Sequence, residues 1–122
     1  MIVAGFGFAT SATGKSLHEA YLAASEGQAV TALATATDKA EHPAFAELAG
    51  RLQLPVHSVP QAALEAINTP TKSGRSISER GAGSVAEAAA LAAAGPGARL
   101  VSTRHISTDR RATCAVAIGG QT

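Results

Sequence analysis

The sequence predicts an α/β fold: a three-layer α/β/α arrangement with a mixed, mostly parallel sheet of about five strands and a C-terminal hairpin. Short apolar runs alternate along the chain with segments whose apolar residues recur at helical spacing. Strands separated by helices pair in parallel, and the helices cover both faces of the sheet. The last two apolar runs, residues 99–106 and 110–118, are joined by Ser107-Thr108-Asp109, a spacing that reads as an antiparallel hairpin.

Taken in order, Ile2-Val3-Ala4-Gly5-Phe6-Gly7 is an apolar run ending in glycine, which fits a buried strand leading into a tight turn. Residues 8–13 follow as a small polar loop. Leu17, Ala20, Tyr21 and Ala24 then mark one face of a helix, with Gly27 just past its end. Residues 29–36 read as a second strand, closed by Thr37-Asp38-Lys39-Ala40. Pro43 suits the first turn of a helix, where its missing N–H has no partner to lose; Phe45, Leu48, Ala49 and Leu52 form the apolar face before Gln53-Leu54-Pro55 breaks it. Residues 56–59 make a third short strand, and residues 61–67 a short helix with Leu64 and Ile67 inward. Residues 68–82 are polar except for Ile77 and the final alanine, and a connection of that length in a compact domain serves function or motion.

Both ends of the next helix are written locally. Ser84 with Glu87 three residues on matches a capping box, and Gly95-Pro96-Gly97 ends the alanine-dense run. Gly81 and Gly83 lack Cβ atoms, so backbone amides can approach an anion where the helix dipole favours one. Ligands of open α/β sheets lie beyond the carboxyl ends of the strands, which directs attention to residues 7–13, 37–41 and 68–83. Residues 119–122 read as a frayed tail.

Composition narrows the function classes. The length suits one domain, residues 1–122, and 46% of residues are apolar, yet aromatics are only 3%, so the core must be thin and closely packed. No uninterrupted apolar run is long enough to span a bilayer, and Met1-Ile2-Val3-Ala4 lacks the basic start of a signal peptide; the expected location is the cytoplasm, with no membrane partner. A net charge of +1 gives no basic excess for nucleic acid. Its distribution is uneven: three basic side chains against six acidic ones in residues 1–67, and seven against three in residues 68–122, which suggests a positive face for an anionic small molecule or an acidic partner. The single cysteine, Cys114, sits in an apolar run and reads as a buried thiol.

Residues 9–16, Ala-Thr-Ser-Ala-Thr-Gly-Lys-Ser, have the spacing of a phosphate-binding P-loop with alanine in the first glycine position. In that alternative Lys15 reaches phosphate oxygens and Ser16 ligates magnesium. The missing glycine, the short chain and the lack of a strand-end aspartate placed for the metal weigh against it. His18, His42, His57 and His105 show no metal-ligand spacing, so neither a metal nor a cofactor is expected. Ser84 lies in Gly-Ala-Gly-Ser, which is not the nucleophile elbow of a hydrolase.

Gly5-Phe6-Gly7, Ala34-Thr35-Ala36 with Lys39-Ala40, the run Gly83-Ser84-Val85-Ala86-Glu87-Ala88-Ala89-Ala90-Leu91, and Thr113-Cys114-Ala115-Val116-Ala117 together resemble the cobalamin-biosynthesis family formed by CobE and the C-terminal part of the cobalt-precorrin-5A hydrolase CbiG. The resemblance spans nearly the whole chain in order. It implies a role in corrin-ring construction and the three-layer fold. Binding or carrying a tetrapyrrole polycarboxylate is the expected function of a stand-alone chain, with other corrin-pathway enzymes as further partners. The alternative is hydrolytic opening of the precorrin-5A ring-A lactone, with a water near Lys39 or Glu87.

A macrocycle ringed by carboxylates needs several spaced anion acceptors beside an apolar floor. The residues expected to bind it are Gly7, Phe8, Thr10 and Ser11 of the first loop, with Lys39, Arg80 and Arg104 as cations. Gly83, Ser84 and Glu87 complete the set at the helix start, and a second helix N-terminus near Gly14 offers a further anion position.

Overall fold

In the computed structural model, which describes residues 2–66, 82–95 and 97–119, the chain opens on strand β1 (Ile2–Phe8) and helix α1 (Gly14–Ala24). Strand β2 (Ala32–Ala36), a 3-10 turn (Thr37–Lys39), helix α2 (Pro43–Leu52), strand β3 (Val56–Val59) and helix α3 (Gln61–Ala66) follow. Helix α4 (Ala82–Ala94) then leads to the hairpin of β4 (Arg99–Ile106) and β5 (Ala112–Ile118). The sheet order is β3-β2-β1-β5-β4. Neighbours β1, β2 and β3 are parallel, and β5 is antiparallel to both β1 and β4. Four of these five described strands therefore point one way, as expected of a mixed, mostly parallel sheet.

The two faces of the sheet are packed differently. On one, Phe6, Phe8, Leu33, Cys114 and Val116 meet Leu17 and Ala20 of α1 and Phe45 and Leu48 of α2. Every aromatic of the chain lies on this side: Phe6 stands edge-on to Phe45 at 5.4 Å, Phe8 stacks on Phe45 at 5.8 Å, and Tyr21 stacks on Phe6 at 6.3 Å. Fully burying Phe6 or Phe45 contributes roughly 1.5–3 kcal/mol each. Cys114 is buried among them, and that burial pushes its thiol well above the ordinary range.

The opposite face is nearly all alanine. Val3, Ala32, Ala34 and Ala36 of the sheet meet Ala88 and Ala89 of α4 and Leu64 of α3. Here α4 lies directly on β1 at Gly5: a Cβ built there would stand 2.5 Å from the Ala90 amide nitrogen and 2.9 Å from the Ala90 Cβ, with the Ala86 carbonyl oxygen nearer still. Backbone-to-backbone contact of this kind is open to glycine alone.

Most helix ends follow the local signals. Thr13 caps α1 in a capping box with Ser16, and α2 begins with Pro43 in its first turn. Its cap is the imidazole of His42, which accepts from the Ala44 N–H, and Gln53 ends it with φ 58°. Four boundaries differ from the sequence reading, one of them the start of β5, which is Ala112 and not residue 110 because Arg110 and Arg111 belong to the turn. Helix α4 begins at Ala82, which puts Ser84 inside the first turn and displaces the Ser84–Glu87 capping box; Glu87 is fully buried. Strand β2 begins at Ala32 and not at residue 29: a turn closed by the Gln28 N–H on the Ser25 carbonyl, with Gly27 at φ 79°, occupies the start of that run, and the Thr31 N–H makes the first bond to β1, at the Ile2 carbonyl. Phe8 belongs to β1 and not to the loop: it pairs with Ala112, so the sheet carries it beyond the glycine. Ile67 and residues 68–81, together with 120–122, lie outside the described residues.

The contact at Gly5 makes a sharp contrast with Gly50, where an added Cβ would meet nothing within 4 Å on the exposed side of α2. Gly5→Ala is expected to cost about 3 kcal/mol or more by overpacking against backbone. Gly50→Ala is expected to stabilise by about 0.5–1 kcal/mol through helix propensity. Urea unfolding midpoints of the two variants check both signs.

Candidate functional site

Strands β2, β1 and β5 lie side by side, and at the end of the sheet where β1 and β2 finish a cavity of about 460 Å³ opens between them. Its lining comes from four parts of the chain. Gly7, Phe8, Ala9 and Thr10 belong to β1 and its loop, and Ala36, Asp38 and Lys39 to the end of β2 and the 3-10 turn. Val85 comes from the start of α4; Arg110, Arg111, Ala112 and Thr113 come from the β4–β5 turn and the first residues of β5.

The end of β1 is held on both sides. Thr35 Oγ1 donates to the Phe6 carbonyl and Thr113 Oγ1 to the Gly7 carbonyl, each at 2.9 Å, and the Ala9 N–H continues the pairing onto the Arg111 carbonyl at 2.9 Å. Phe8 is thereby a fixed floor. Its ring is backed by Phe45 and met edge-on by His42 at 5.2 Å, while Lys39 Nζ lies 5.4 Å from the ring centroid as a cation–π partner. His42 Nδ1 accepts from the Ala44 N–H, so the ring proton is assigned to Nε2, which donates to the Thr10 carbonyl at 2.8 Å. One imidazole thus fixes both the start of α2 and the cavity loop.

On the other flank, Asp109 organises the β4–β5 turn. Its carboxylate accepts from Ser107 Oγ at 2.5 Å, from Ser16 Oγ of α1 at 2.5 Å and from the Arg111 N–H at 3.0 Å. The Ser107 bond first, then those from Ser16 and Arg111, hold the carboxyl at about 2, below its ordinary 3.8. Thr108 adds two bonds to the Glu19 carboxylate of α1, at 3.1 and 3.2 Å. Arg110, in this turn, has φ 63°, a left-handed conformation uncommon for a residue with a side chain.

The result is a pocket with an apolar floor of Phe8, Val85, Ala36 and Ala112 and cations on two sides. Because β2 and β5 flank β1, Lys39 enters the cavity from one side of β1, its Nζ reaching over Phe8, and the Arg110–Arg111 pair from the other. Among the described residues, three cations against the single carboxylate of Asp38 suit a ligand with more than one negative group.

Of the residues singled out from sequence, Gly7, Phe8, Thr10 and Lys39 line this cavity. Gly83 and Ser84 occupy the first turn of α4, whose Val85 reaches it. Ser11 is an exposed loop residue outside the lining, because the chain turns away after Thr10. Glu87 is also outside the lining: helix α4 buries it completely. Arg104 lies on β4, its side chain outside the described set, and Arg80 lies outside the described residues.

The α1 N-terminus near Gly14 is occupied from within the protein. Ser16 is buried and committed to Thr13 and Asp109, and Glu47 Oε1 would stand 3.1 Å from a Cβ at Gly14. Neither an external carboxylate nor a magnesium ion finds an unengaged serine there, and Lys15 is exposed and outside the cavity lining. Sequence reasoning did not single out Arg110 and Arg111, which line the cavity. The signal was present in two arginines directly after a turn, but they were assigned to the strand, and nothing local says that β5 inserts beside β1.

The family model described as "Cobalamin synthesis G C-terminus" matches residues 2–117. Among solved structures, CobE, a protein from the cobalamin (vitamin B12) biosynthetic pathway, is 32% identical, with a TM-score of 0.73 over 96% of this chain and 89% of that one. The cobalamin biosynthesis protein chiG from Agrobacterium tumefaciens is 38% identical, with a TM-score of 0.73 over 99% of this chain and 100% of that one. A longer chain from Sulfolobus solfataricus, 18% identical, shows the same fold with a TM-score of 0.73 over 97% of this chain and 36% of its own. No curated protein matches the sequence.

Asp109 is more acidic in the fold than in the unfolded chain, so its contribution to stability is complete above 3.8 and is lost as pH falls toward about 2. The stability difference between the natural protein and Asp109→Asn should therefore shrink across that window. Urea unfolding at a series of acidic pH values measures it.

Proposed function

The chain belongs to the cobalamin synthesis G C-terminus family, and from that premise we propose that it binds a tetrapyrrole polycarboxylate of the corrin pathway in the cavity at the strand ends, as a carrier or accessory to other enzymes of that pathway. The observation that carries this reading is the placement of Lys39 on one side of β1 and Arg110–Arg111 on the other, around one cavity. Phe8 and Val85 give the macrocycle an apolar surface, and the small residues Gly7, Ala9 and Ala36 let it approach the backbone. The cations meet its carboxylates, Arg110 and Arg111 with the forked donors that suit them, Lys39 as a point charge. Amides of the first turn of α4 lie beside the same cavity and favour a negative group.

Lactone hydrolysis has less support, since Glu87 is withdrawn from the cavity and Lys39 alone remains of the two groups expected near the attacking water.

Uroporphyrin III, a stable tetrapyrrole with eight carboxylates, serves as the probe, with its absorption band and co-elution as readouts. Binding is expected, and it should weaken about ten-fold for each of Lys39→Ala and Arg111→Ala, the loss of one charge-assisted contact. Lys15→Ala should leave it unchanged. Absence of binding by the natural protein, or loss on Lys15→Ala alone, would refute the assignment.

A further inference from the structure

Asp109 carries the same sign of charge as the proposed ligand, yet it sits in the turn that presents two of the three cavity cations. Considered only as a charge, it opposes anion binding. Considered as a hydrogen-bond acceptor, it does something else. It draws together Ser107 at the start of the turn, the Arg111 N–H at its end and Ser16 on α1, while the Arg110 N–H closes the turn onto the Ser107 carbonyl at 2.9 Å. Ser107 Oγ also accepts from the Ala112 N–H at 3.2 Å, so the acceptor chain runs from the first residue of β5 back to the aspartate.

This arrangement leaves Arg110 in its left-handed conformation, at φ 63°. A residue with a side chain holds such a conformation when its surroundings over-determine it. Here the surroundings are the acceptor set of Asp109 and the two bonds from Thr108 to Glu19, which fix the turn to α1. The P-loop-like run is absorbed into the same device: Ser16, at the position a magnesium ligand would hold, receives a carboxylate of the protein itself.

We propose that Asp109 is a positioning residue for the anion site, docking the β4–β5 turn on Ser16 of α1 so that Arg110 and Arg111 face the cavity at the end of β1. The proposal rests on the reading of the cavity as a polycarboxylate site and names the part of the fold that sets its cationic flank.

The sign of the effect separates positioning from plain electrostatics. Asp109→Asn removes a negative charge near the site, so a purely coulombic role predicts tighter binding of uroporphyrin III; positioning predicts binding weaker by about ten-fold. Glu26→Gln, an exposed carboxylate past the far end of α1, makes the same charge change and should leave affinity within about two-fold. A double-mutant cycle supplies the readout that a general loss of stability would not produce: in an Arg110→Ala/Arg111→Ala background, Asp109→Asn should weaken binding no further. Ser16→Ala, which keeps the aspartate charge and removes its anchor on α1, should weaken binding in the same direction. Equal or tighter binding by Asp109→Asn, or a full additional loss in the double-alanine background, overturns the proposal while leaving the cavity assignment standing. Failure of the natural protein to bind uroporphyrin III overturns both.

Discussion

The contact between α4 and β1 at Gly5 is the constraint on which the rest of the architecture depends. With hydrogen in place of a side chain, the Ala86 and Ala90 backbone of α4 lies directly on the central strand, and alanines on both surfaces fill the remaining gap. Dispersion contacts fall off steeply with distance, so a face built from small residues gains cohesion only when its backbones come this near. The helix is thereby pinned over the middle of the sheet, and its first turn reaches the end where β1 and β2 finish.

The other face follows the opposite strategy. Its four aromatics form one cluster, and the cluster does not stop at the core: Phe8, buried and packed on Phe45, also borders the cavity, with Lys39 over its ring and His42 at its edge. A floor that is also a core residue loses little entropy on binding, because the packing of the fold has already restricted it. The same economy of parts appears at His42, whose two ring nitrogens serve a helix cap and the cavity loop together.

Charge is used locally in this protein. Net charge is only +1, yet among the described residues three cations line one cavity, while Asp109 and Glu19 nearby are turned to structural ends. Asp109 is committed to hydroxyl and amide donors, and Glu19 accepts from Thr108. Hydrogen bonds to the ionised form keep the Asp109 carboxylate charged and oriented, which limits how far it cancels the arginines beside it.

The alternation of strands and helices, the closing hairpin, the Pro43 start of α2 and the position of Phe8, Thr10 and Lys39 at the strand ends were legible from local pattern, because propensity, periodicity and turn chemistry act over a few residues. Strand ends and helix starts were legible less well: Ser84 has the chemistry of a cap, but α4 packing carries the helix back to Ala82. What only tertiary structure decided was the cationic flank of the cavity. Placing Arg110 and Arg111 beside Phe8 required β5 to insert between β1 and β4, a pairing set by which apolar faces bury together across more than a hundred residues and by no signal near the arginines themselves.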